Sequence, residues 1–185
     1  VSHDADDLLF GDALGCEERL PLAFAPGARP GDHWRGQATL LLRALALFDE
    51  SRDGDGDDAD PQRLDLHRIE AKLDVVIALL GTVLGDRAAA LPAVALRWSR
   101  VGVRFRAAHA PAVADGCLRV QPDARLPQVI ELPVRVVATR SEADGECTAW
   151  VRFVGLDEAL EAALERHVFR RHRRQVAEAR RGVAA

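Results

Sequence analysis

The chain has 185 residues, 48% of them hydrophobic and 29% charged, with a formal net charge of −4 at pH 7. That balance is typical of a soluble globular protein with a core of its own, and the negative charge argues against a general role in binding DNA or other nucleic acid. Cys16, Cys117 and Cys147 form no CxxC pair, and no apolar run approaches the roughly 18 residues that span a bilayer, so the expected location is a reducing cytoplasm.

Residues 1–30 are acidic and punctuated by Pro and Gly, and read as a tethered segment with one short strand at 20–24. Asp32 is placed to cap a helix running to about Glu50. Asp60 followed by Pro61 starts a second helix, which Gly85 ends. The stretch SRDGDGDDAD between them is an acidic loop. From Val94 the period changes to two: Leu96, Trp98, Val103 and Phe105 alternate with Arg97, Gly102, Arg104 and Arg106. Further strands are expected over 117–120, 129–138 and 148–154, with Pro133 marking an edge or a bulge. Asp157 opens a last helix with Leu156, Leu160 and Leu164 on one face, followed by a basic tail to about Arg181. The fold class is α+β, divided as 1–30, 31–85 and 92–182.

The sharpest local pattern lies in the second helix. Leu66, Ile69, Leu73, Val76, Leu80 and Val83 recur at spacings of 3, 4, 3, 4 and 3, one seam of a supercoiled helix. Trp34, Ala38, Leu41, Leu45 and Phe48 repeat the pattern in the first helix at 4, 3, 4 and 3. One account is a helical hairpin packed on its own strands. The other is self-association, with Trp34, Leu41, Leu45 and Phe48 joining the six residues of the second seam. Leu at each first seam position with Ile or Val at each second favours assemblies larger than dimers in parallel coils, so a homotetramer is expected.

The segments RWSRVGVRF, the strand from Gly116, VRVVATR and TAWVRFVGLDEALEAALERHVFRRHRR together resemble a PilZ domain over about residues 92–180. The resemblance implies a small split antiparallel β-barrel with a C-terminal helix, in the setting of cyclic di-GMP signalling, type IV pili or virulence. Heptad helices ahead of such a core resemble a non-standard, oligomer-forming subtype. Ligand-binding PilZ domains resemble one another in an Arg-x-x-x-Arg loop and an (Asp/Asn)-x-Ser-x-x-Gly turn. Paired guanidinium forks suit phosphates and guanine edges, and the acidic or amide group accepts from guanine. Here the turn reads Arg97, Trp98, Ser99, Arg100, Val101, Gly102: Ser99 and Gly102 stand in place, but Arg97, which has no acceptor, holds the first position. The preceding GDRAAALPAVAL offers only Arg87. The resemblance therefore implies a degenerate site, with cyclic di-GMP not expected as a ligand. Arginine pairs at the right spacing, such as Arg100/Arg104 and Arg166/Arg170, are cheap in a chain with 24 arginines.

Asp53, Asp55 and Asp57 resemble the opening of a calcium loop, yet Asp58 stands where Gly is required and Leu64 where Glu is required. His167 and His172 are five apart and share no helix face, so no metal is expected. No nucleophile elbow, phosphate-cradling loop or carboxylate pair points to catalysis. Five arginines and two histidines within residues 166–174 form a basic patch, read as a solvated helix face or a contact for an acidic partner. The resulting reading is a regulatory adaptor that meets copies of itself and an unidentified protein partner. A cyclic di-GMP receptor using rearranged arginines, or a structural scaffold, are the alternatives.

Overall fold

The computed structural model describes residues 2–53, 69, 73, 91–123 and 128–183. Helix α1 (Ser2–Phe10) precedes strand β1 (Cys16–Pro26) and helix α2 (Trp34–Asp53). Strands β2 (Ala93–Trp98), β3 (Gly102–Ala107), β4 (Asp115–Val120), β5 (Ile130–Ser141) and β6 (Cys147–Phe153) follow, then helix α3 (Glu158–Val183). The six strands close into an antiparallel barrel in the order β1-β2-β3-β6-β5-β4.

The barrel is split in sequence. Cys16 to Pro21 pair with β2, and Leu22 to Pro26 pair with β4, so β1 closes the ring from the far side of the helical segment. The first 30 residues thus supply a barrel strand of 11 residues, longer than the expected five, and the barrel is not confined to 92–182. A nine-residue helix also precedes it, where only a tether was expected.

Alternation fills the barrel. Leu20, Leu22, Leu96, Trp98, Val103, Phe105, Leu118, Leu132, Val151 and Phe153 point inward and are buried. Pro133 sits opposite Cys117, in a strand with neighbours on both sides. Its carbonyl accepts from Val154 N at 3.0 Å just past the end of β6, so its missing N–H falls where that ladder stops. The bulge lies further on: Val136 pairs with Val151 and Ala138 with Trp150, leaving Val137 as the extra residue.

Helices α2 and α3 pack on each other, and Trp34, Ala38, Leu41, Leu42 and Leu45 join Leu160, Ala163, Leu164 and Val168 in the barrel's core cluster. Asp157 Oδ1 accepts from Leu160 N at 2.8 Å and so caps α3. Asp32 does not begin α2 in that way; Trp34 N donates to Gly31 O at 3.2 Å. Gly155, at φ +66°, turns the chain between β6 and α3, and its carbonyl accepts from Arg35 Nε of α2 at 2.8 Å.

Of the six-residue seam, Leu66, Val76, Leu80 and Val83 lie outside the described residues, as do Pro61 and Gly85. Ile69 and Leu73 are both helical, 55% and 54% exposed.

Candidate functional site

The turn joining β2 to β3 carries the residues singled out from the sequence. Ser99 N donates to Gly102 O at 2.9 Å and closes it. The Ser99 side chain is fully buried. Its hydroxyl donates to Leu9 O at 2.7 Å and accepts from Val101 N at 3.0 Å and Gly102 N at 3.4 Å. A Cβ on Gly102 would stand 2.2 Å from Val151 O and 2.8 Å from Leu9 Cδ2, so glycine is needed for close approach of strand and helix. The Arg97 guanidinium lies 4.3 Å over the Phe10 ring.

All of these partners outside the barrel belong to α1, which the sequence reading missed. Ala5, Leu9 and Phe10 form a second apolar cluster with Ala138 and Trp150, packed on the barrel's outer face. Asp6 fixes the helix: its carboxylate accepts from Arg104 Nη1 at 3.1 and 3.2 Å and from Trp150 Nε1 at 2.9 Å. Arg104 also donates to Glu17 at 3.2 Å. Hence the serine, the glycine and the first arginine of the motif are each engaged by the chain itself. The available signal was faint: Ala5 and Leu9 at i and i+4 inside an acidic stretch.

The seam residues of α2 require a correction. Trp34, Leu41 and Leu45 were expected between subunits, but they are 9%, 7% and 1% exposed within one protomer, covered by its own barrel and α3. The side chain of Phe48 lies outside the described ones. The basic patch also differs from a solvated face. Arg171 Nε donates to Glu18 Oε2 at 2.7 Å, Nη2 donates to the same oxygen, and Nη1 lies 3.6 Å from Asp123. Glu18 Oε1 accepts from Trp98 Nε1 at 3.0 Å and Cys16 Sγ at 3.4 Å. Arg170 donates to Ala46 O, and His167 is buried with its ring edge-on to Trp98 at 5.2 Å. Burial, then the neighbouring Glu18 charge, pushes the Cys16 thiol up to about 12. Burial lifts Cys117 to about 11. Both thiols are thereby unreactive near neutrality.

Among the described residues no three His, Cys, Asp or Glu side chains converge as a metal site. Asp55 and Asp57 lie outside them. No helix among the described residues is long and apolar enough to cross a membrane.

A closed six-stranded barrel with a turn of this pattern and a capping C-terminal helix defines a class, and comparison with known proteins agrees. The family model described as "Atypical PilZ domain, cyclic di-GMP receptor" matches residues 42–181. The chain belongs to that atypical PilZ family, a family of cyclic di-GMP receptors. It is similar to a solved pathogenic protein from Xanthomonas campestris, described as a new tetrameric PilZ domain self-assembled via an unusual helical bundle. The two are 37% identical over 95% of this chain and 97% of the other, with a TM-score of 0.76. No curated protein matches the chain.

Proposed function

We propose that the chain is a non-catalytic PilZ adaptor that assembles as a homotetramer, works by protein contact in cyclic di-GMP signalling, and takes no dinucleotide at the turn 97–102. The observation that carries assembly is the pair Ile69 and Leu73. They stand four apart in sequence, both are helical, and each is more than half exposed in the protomer. The equivalent stripe of α2 is already buried by the chain itself, so the second helix is the one that wants a partner. The similar Xanthomonas protein, whose description names a tetramer and a helical bundle, supports this reading. So does the seam composition, with Leu66, Leu73 and Leu80 alternating with Ile69, Val76 and Val83.

The loss of ligand binding rests on α1. A dinucleotide approaching the turn would meet Leu9 in the Gly102 notch, Phe10 on Arg97 and Asp6 on Arg104. A cyclic di-GMP receptor is the competing reading, favoured by the family's description. Two measurements test the proposal. Light scattering of Leu73→Glu should give a species smaller than the wild-type assembly; an unchanged mass would remove the seam. Calorimetry with cyclic di-GMP should give no heat of binding, and micromolar affinity would establish the receptor.

A further inference from the structure

Most arginines of the barrel wall stand beside carboxylates. Arg104 meets Asp6 and Glu17, Arg106 meets Asp144 and Glu146, Arg119 meets Glu131, and Arg140 meets Glu142. Arg152 on β6 is exposed and, among the described residues, has no carboxylate partner. Its neighbours make this unusual. One row crosses four strands as Asp115, Arg135, Arg152 and Gly102, each directly opposite the next. Opposed residues on adjacent antiparallel strands point to the same face, and like charges placed so repel. Arg135 has Asp115 on its other side at 2.8 Å, whereas Arg152 has a glycine. A third cation, Arg100, arrives from the turn before β3 and, among the described residues, pairs with Glu165 alone, at 3.6 Å.

These three arginines line one open groove of about 700 Å³ with Leu8, Val137 and Glu161. That size suits a small molecule. Leu8 and Val137 are 48% and 37% exposed, and Val137 is pushed outward by the bulge in β5. Asp115 and Glu165 are each 65% exposed, so both ion pairs are solvated and exchangeable. Guanidinium forks converging beside a small apolar surface match a phosphate attached to an organic body.

We propose that this groove binds a phosphate-bearing small molecule, its phosphate between Arg135 and Arg152 and its body against Leu8 and Val137. The turn 97–102 contributes Arg100 and Val101 to the groove, whereas the two arginines that hold the phosphate, Arg135 and Arg152, lie on β5 and β6 outside it. Titration calorimetry of the full chain at low ionic strength, with inorganic phosphate and with phenyl phosphate as probes, tests it. Binding should weaken at least tenfold in Arg152→Gln and stay unchanged in Arg106→Gln, an arginine with carboxylates of its own. Stronger binding of phenyl phosphate identifies an organic ligand, and equal binding of the two a free phosphate. Absence of binding by both probes, or equal losses in the two variants, overturns the site. An unaltered near-ultraviolet spectrum in Arg152→Gln keeps misfolding out of the comparison.

Discussion

Ser99 keeps its place in a ligand motif while its hydroxyl serves the fold, donating to Leu9 O and holding two N–H groups of its own turn. Ser99→Ala strands those groups in a buried place, so it should cost about 1–3 kcal/mol. Gly102→Ala forces a methyl against the Val151 carbonyl, which belongs to a paired strand and yields little. A loss of about 1–3 kcal/mol is expected from such overpacking. Urea unfolding of the two variants measures both, and wild-type midpoints would show that α1 does not dock on the turn. The departure at Arg97 was legible from residue identities alone. Its consequence was not, because Asp4, Asp6 and Asp7 give α1 the look of an acidic tail. A nine-residue helix is too short to be stable by itself, so it exists through its docking contacts, which no local pattern records.

At the scale of elements, α3 is tied to the barrel by charge as well as by leucines. Glu18 and Asp123 have side chains only 4% and 5% exposed beside Arg171. Burial lowers the pKa of Arg171, but its bond to Glu18 and the two carboxylate charges more than offset this and keep it charged. Arg171→Ala leaves buried carboxylates without that cation and should destabilise the fold by about 3–5 kcal/mol, read from thermal or urea unfolding. A change within error would show that the pair is no better than a surface contact. The inward turn of Arg171 had a signal in the sequence, since Leu160, Leu164, His167 and Arg171 follow one another at 4, 3 and 4. Charge density hid it: residues 166–174 read as one solvated patch.

The hairpin between β5 and β6 offers a pH test. Thr148 Oγ1 and Arg140 hold the Glu142 carboxyl below its ordinary 4.5, and the Glu146 amide and Arg106 hold Asp144 below its ordinary 3.8. Depressed carboxylates stabilise fully above their ordinary values and lose that contribution as pH falls through the lower folded-state values. The gap in melting temperature between wild type and the double variant Glu142→Gln, Asp144→Asn should therefore be constant above the ordinary carboxylate range and close as pH falls below it. A gap independent of pH would show that these carboxylates do not stabilise the hairpin through charge.

At the scale of the molecule, one spacing rule produced two different faces. The stripe on α2 and the stripe through Ile69 and Leu73 follow the same period of three and four, yet the first is core and the second is exposed at the two positions described. Periodicity reports that a face is to be covered; it does not say whether the cover is the same polypeptide or another copy. The strands from 93 onward and α3 were legible because alternation and a cap mark them. The closure of the barrel by β1 was not, since Pro21 and Pro26 shortened the apparent strand and its partners lie about 70 residues or more away.

The central claim is that copies of this chain cover the seam through Ile69 and Leu73. Sedimentation equilibrium of the wild-type protein over a wide concentration range addresses it directly. The account predicts a mass of four 20.1 kDa chains. A single 20.1 kDa species that persists at the highest concentration would contradict it.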